Sequence, residues 1–82
     1  MANKQEVFQA ICKERDYQDE KWGPVPEHAH DIPSWLLIMR KKIEDAENAW
    51  MKISEEEAMR HLLQTTAVGF AAMEQLGISE RE

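Results

Sequence analysis

The sequence predicts an all-α fold: a three-helix subunit with an antiparallel helical pair, completing a helical bundle by oligomerisation. Three observations lead there. Apolar residues recur at helical spacing in three segments. Each segment has its own cap or breaker. The chain has 82 residues, enough for one domain with a thin core, so a second subunit is the natural source of further burial. The domain spans 1–82, with its core at about 6–77 and a tail at 78–82.

The first helix runs from about Gln5 to about Lys21. Val7, Phe8, Ile11 and Cys12 form its apolar stripe, and its second half is densely polar. Gly23-Pro24-Val25-Pro26 then breaks it. The connection continues through His28, His30 and Asp31, which is long for a small helical domain. Asp31 can cap the second helix, and Pro33 suits its first turn. Trp35, Met39, Ile43, Ala46 and Trp50 form the main stripe of that helix, with Leu36 and Leu37 widening it. After a short turn at Lys52 and Ile53, Ser54 and Glu57 have the spacing of a capping box. The third helix should reach Leu76 and stop at Gly77. It carries two faces. Met59, Leu62, Leu63, Thr66, Phe70 and Met73 make one. His61, Gln64, Val68, Ala71, Ala72 and Gln75 make the other, lined by small residues that permit close approach.

Composition excludes several classes. Acids outnumber bases 16 to 10, for a formal net charge of −6. That argues against sequence-independent binding to duplex nucleic acid, which needs a basic surface. No run approaches the ~20 apolar residues of a membrane span. No charged start followed by an apolar run marks a secretory signal. The single cysteine, Cys12, allows no internal disulfide framework and reads as a small core residue. A cytoplasmic protein is expected.

The chemistry-bearing residues fall in three groups. Glu44 and Glu47 lie one turn apart, on the flank of the apolar stripe beside Leu36, Leu37 and Met51. Together they can hold one hard cation. The motif alone is weak, since Glu-x-x-Glu is common on solvated helix faces, and the alternative is surface charge with Arg40, four residues before Glu44, as a helical partner. His61 and Gln64 repeat the spacing on the third helix and can face the acids across the hairpin, as ligands or as interhelical hydrogen-bonding groups. Finally, Arg15-Asp-Tyr-Gln-Asp-Glu-Lys-Trp-Gly23 offers Trp22 to stack on a base, Gln18 to read an edge and Lys21 or Arg15 to meet phosphate. The alternative for that segment is a helix end whose tryptophan covers the core. His28 and His30 lack evident third and fourth ligands for zinc. His30 suits an orienting or substrate contact better.

That last segment, His30, Trp35, Glu44-x-x-Glu47, Ala49-Trp50 and the run Leu62 to Gly77 together resemble small MazG-like proteins. These belong to the all-α nucleoside triphosphate pyrophosphohydrolase superfamily, with compact members in bacteria, phages and mobile elements. The resemblance covers about residues 6–77. It implies a homodimer or a dimer of dimers. It also implies Mg²⁺-dependent hydrolysis of a nucleoside triphosphate, ribo or deoxy, to monophosphate and pyrophosphate, with Mn²⁺ as a substitute. The family pairs Glu-x-x-Glu on one helix with Glu-x-x-Asp on the next. Glu44 and Glu47 match the first pair, while His61 and Gln64 stand at the second and depart from it.

The resemblance thus implies metal ligands at Glu44, Glu47 and His61, and catalytic carboxylates at Glu44, Glu47 and Glu57. It implies substrate contacts at Gln18, Lys21, Trp22, His30 and Gln64. The broken second pair motivates an alternative: a non-catalytic protein on the same scaffold that binds and sequesters a nucleotide or cyclic nucleotide. Fold kinship does not by itself distinguish the two.

Overall fold

In the computed structural model, described for residues 1–81, the chain is all-α. Helix α1 spans Lys4–Trp22, α2 spans Ile32–Lys52 and α3 spans Glu55–Leu76, with a 3₁₀ turn at Val25–Glu27 between the first two. Each helix begins at a side-chain cap. The Asn3 carboxamide oxygen accepts from the Glu6 N–H at 2.8 Å, and Glu6 reaches back to the Asn3 N–H. Asp31 accepts from the Ser34 N–H at 2.9 Å. Ser54 accepts from the Glu57 N–H at 3.1 Å. The expected capping box at Ser54 is half formed. Its reciprocal bond is missing because Arg60 takes the Glu57 carboxylate, while the Ser54 N–H donates to the Ala49 carbonyl.

Both helix-ending glycines have positive φ: 91° at Gly23 and 90° at Gly77. Gly23 carries a second constraint. A Cβ there would lie 2.8 Å from the Glu27 carboxylate and 2.9 Å from the His28 ring, so the 3₁₀ turn folds back against bare backbone.

Helix α3 is central. It packs antiparallel to α2 along most of its length, and α1 and the 3₁₀ turn also lie against it. The buried cluster is Trp35, Val68 and Ala71, with Val25, Ile38, Met39 and Ala72 packed around it. Ala49 and Ala67 are also buried. Gly69 permits close approach, since a Cβ on it would meet the Met39 methyl at 3.2 Å. The small-residue face of α3 is therefore the one this subunit buries.

The large-residue faces are another matter. Of the stripe read along α2, Trp35 is buried and Met39 and Ala46 are half-buried, but Ile43 and Trp50 are exposed. Leu36, Leu37 and Met51 are exposed too, as are Met59, Leu62 and Met73 on α3. The arc of α2 that meets α3 holds Trp35, Ile38, Lys42, Asp45 and Ala49, two of them charged. The close fit of small side chains selects that arc over the greasier one.

One buried ion cluster fastens α1 to α3. Arg15, only 5% exposed, donates through Nε to Glu74 at 2.7 Å and through Nη2 to Asp19 at 2.7 Å. Its Nη1 donates to the Gln18 side-chain oxygen at 3.2 Å. Burial pulls the guanidinium pKa down, but Glu74 and Asp19 outweigh that and leave it raised. Among the described residues no helix is long and apolar enough to cross a membrane. The tail expected at 78–82 has no regular structure from Ile78 to Arg81, and Glu82 lies outside the described residues.

Candidate functional site

A cleft of about 500 Å³ opens between the C-terminal half of α1, the N-terminal half of α2 and the middle of α3, with the 3₁₀ turn and His28 at one end. Helical geometry selects its walls. Glu14, Arg15, Gln18 and Trp22 recur at spacings of one, three and four along α1, and Trp35, Ile38 and Lys42 at three and four along α2. Gln64, Val68 and Ala71 form the α3 wall at the same spacing.

Gln18, Lys21, Trp22, His30 and Gln64, the five residues implied as substrate contacts, all line this one cleft. Their states differ. Gln18 is committed: its oxygen accepts from Arg15, and its nitrogen donates to Glu14 and to the Gln64 carbonyl, both at 3.3 Å. The Gln64 side chain has no hydrogen-bond partner among the described residues. Trp22 is 61% exposed, and the Lys21 ammonium stands 5.0 Å from its ring centre and 5.9 Å from that of Tyr17. His30 meets Trp35 edge to face, with centroids 4.9 Å apart and planes at 88°.

Gln75 holds that aromatic corner in place. Its oxygen accepts from the His30 N–H and from the Trp35 indole N–H, both at 2.9 Å. Its nitrogen donates to the His30 carbonyl at 2.7 Å. One amide thus fixes both the loop backbone and the tryptophan that forms the cleft wall.

The acids stand elsewhere. Glu44 and Glu47 are exposed on the arc of α2 turned away from Trp35 and Lys42, and neither lines the cleft. Arg40 does not pair with Glu44. The ion pair on this stretch is Lys41 with Asp45, at 3.2 Å. Asp45 hydrogen bonding and charge, with Glu44 adding to the field, raise the Lys41 pKa. Glu57 is held by Arg60. His61 is half-buried on α3, one turn before the cleft wall. Among the described residues no three histidine, cysteine or acidic side chains gather closely enough to hold a metal ion. The donor set Glu44, Glu47, Glu57 and His61 therefore does not fit one Mg²⁺ within a single chain.

Sequence reading missed two residues that matter here. Lys42 lines the cleft, half-buried, with no ion-pair partner among the described residues. It lies seven residues after Trp35, a spacing that could have placed it on the same wall. The spacing places Gln75 on the same α3 face as Gln64, Val68 and Ala71, but nothing in the sequence marks its bonds to His30 and Trp35, since an amide on a helix face looks like any polar residue. No family model, curated protein or solved structure matches this chain.

Proposed function

We propose that the chain binds a nucleotide in the α1–α2–α3 cleft and does so without a metal ion, as a sequestering protein on a MazG-like scaffold. The observation that carries this reading is the convergence of Trp22, Gln64, Lys21 and His30 on one cleft together with Lys42. Trp22 and Tyr17 present exposed aromatic surface to a base, and stacking is tolerant of which base it is. The uncommitted Gln64 amide can donate to and accept from a base edge. Lys42 and Lys21 supply the positive charge that phosphates require. Lys42 has no ion-pair partner among the described residues, whereas the cleft's Asp19 is already paired with Arg15, so the Lys42 ammonium is available to an anion that enters the cleft. The MazG-like resemblance supports a nucleotide as the ligand. The scattered acids support binding over hydrolysis.

The test is calorimetric titration with adenosine and deoxyadenosine triphosphates and a cyclic dinucleotide, in EDTA and then in Mg²⁺. Micromolar binding in EDTA, weakened at least tenfold by Lys42→Glu or Trp22→Ala, is the expected result. No binding in EDTA would overturn it. One observation favours the pyrophosphohydrolase as a second reading: Glu44 and Glu47 lie adjacent, exposed and without ion-pair partners among the described residues. Pyrophosphate released in Mg²⁺ or Mn²⁺, and lost on Glu44→Ala or Glu47→Ala, would establish that reading instead.

A further inference from the structure

The exposed arc of α2 has an internal symmetry. Leu36 and Met51 are equidistant in sequence from the Ile43–Glu44 peptide bond, and so are Leu37 and Trp50, and Arg40 and Glu47. At ~100° per residue all eight side chains fall on one face of the helix. Leu36 is 61%, Leu37 65%, Trp50 67% and Met51 72% exposed. Arg40 and Glu47 run along the middle of the face, and neither has an ion-pair partner among the described residues.

We infer that this face is the interface with a second copy of the chain, formed by two α2 helices crossing antiparallel at a two-fold axis beside Ile43. The same patch must serve both sides of such an interface. Antiparallel placement about that point sets Arg40 against the partner's Glu47, and the reverse, giving two ion pairs from one kind of contact. It sets Leu36 against the partner's Trp50, Leu37 against the partner's Met51, and Ile43 against the partner's Ile43. Parallel placement sets Arg40 against the partner's Arg40 and Glu47 against the partner's Glu47. The charge pattern therefore selects the antiparallel pair. Glu44 comes beside the partner's Glu44 near the axis, with an arginine from each chain within one turn to offset the repulsion. Glu47 thereby fixes register and orientation in an apolar seam.

The α2 face is independent of the ligand cleft, because α2 turns a different arc to each. The test is sedimentation of the intact chain from 1 to 200 µM, roughly the range over which a modest dimer forms. The wild type should be a dimer. Arg40→Glu and Glu47→Arg should each weaken dimerisation at least tenfold, and the Arg40→Glu/Glu47→Arg double variant should recover it. Circular dichroism checks that helicity is kept. If a reversal unfolds the chain, Arg40→Gln and Glu47→Gln are read in its place. A wild-type monomer at 200 µM, single reversals that leave the dimer unchanged, or a double variant no better than the singles would each overturn the assignment. A second apolar groove, between α1 and α3, is lined by Val7, Ile11, Met59 and Leu62, and a dimer abolished by Leu62→Asp there but indifferent to the α2 charges would overturn it too.

Discussion

Gln75 and His30 form a two-way clasp: the carboxamide of one closes on both backbone groups of the other, at 2.9 Å and 2.7 Å. The clasp joins the last turns of α3 to a loop forty-five residues earlier in the chain. Gln75→Ala removes both bonds and the one to Trp35. At about 1 kcal/mol net for each bond, unfolding by urea should show a loss of about 2–3 kcal/mol. Ligand affinity should fall as well, because His30 and Trp35 lose their fixed positions. Gln75→Glu should cost less, about 1 kcal/mol, since its carboxylate still accepts from the His30 and Trp35 N–H groups and only the donor to the His30 carbonyl is lost. Equal stability for all three proteins would refute the clasp.

Lys42 separates stability from binding. Lys42→Met keeps the length and apolar stem but removes the charge. Stability should stay within about 0.5 kcal/mol of wild type, while nucleotide affinity in EDTA drops at least tenfold. A stability loss with affinity intact would mean that the lysine serves the fold.

Gly69 tests the close approach of α2 and α3. The atom that an added Cβ would meet, the Met39 methyl at 3.2 Å, ends a flexible side chain. Alanine in a helix interior is worth about 1 kcal/mol over glycine. Gly69→Ala should therefore stabilise by about 0.5–1 kcal/mol, seen as a raised Tm. Gly69→Leu has no room and should lower it.

Asp31 gives a pH signature. Hydrogen bonds from Ser34, side chain first and backbone second, lower its pKa from the ordinary 3.8. A carboxylate with a lowered folded-state pKa contributes stability above its unfolded pKa, and that contribution is lost as pH falls through the folded value. Asn caps as well as Asp and does not titrate. In Asp31→Asn, stability at pH 7 should stay close to wild type, and the decline below pH ~4 should become shallower. An unchanged acid limb would exclude Asp31 as its source.

Much of the fold is readable from local chemistry. The Asp31 and Ser54 caps and the two terminal glycines mark helix ends that fall within a residue or two of their expected places, while the Asn3 cap of α1 is one that periodicity leaves unmarked. The cleft residues are legible because Trp22, Lys21 and Gln18 share a polar helix end with no core to serve. What local chemistry does not reveal is which apolar face meets which. Trp50 and Ile43 read as core on periodicity alone, yet α3 offers its small residues, and those accept the arc holding Lys42 and Asp45. Periodicity reports how much greasy surface a helix has; only shape decides where it goes. Glu44 and Glu47 stand out in the sequence for the same reason: their apolar surroundings belong to a face that the subunit leaves open.

The size of the cleft depends on an atom that is missing. Gly23 ends α1 with backbone torsions that side chains resist, and the Glu27 and His28 side chains occupy the space a methyl would need. Any other residue there would push the turn outward and shift the cleft wall that follows it. Position 23 therefore cannot be used to tune the site in small steps. A change in ligand size has to be met at Trp22, which ends the helix before it, or at Val25, which begins the turn after it.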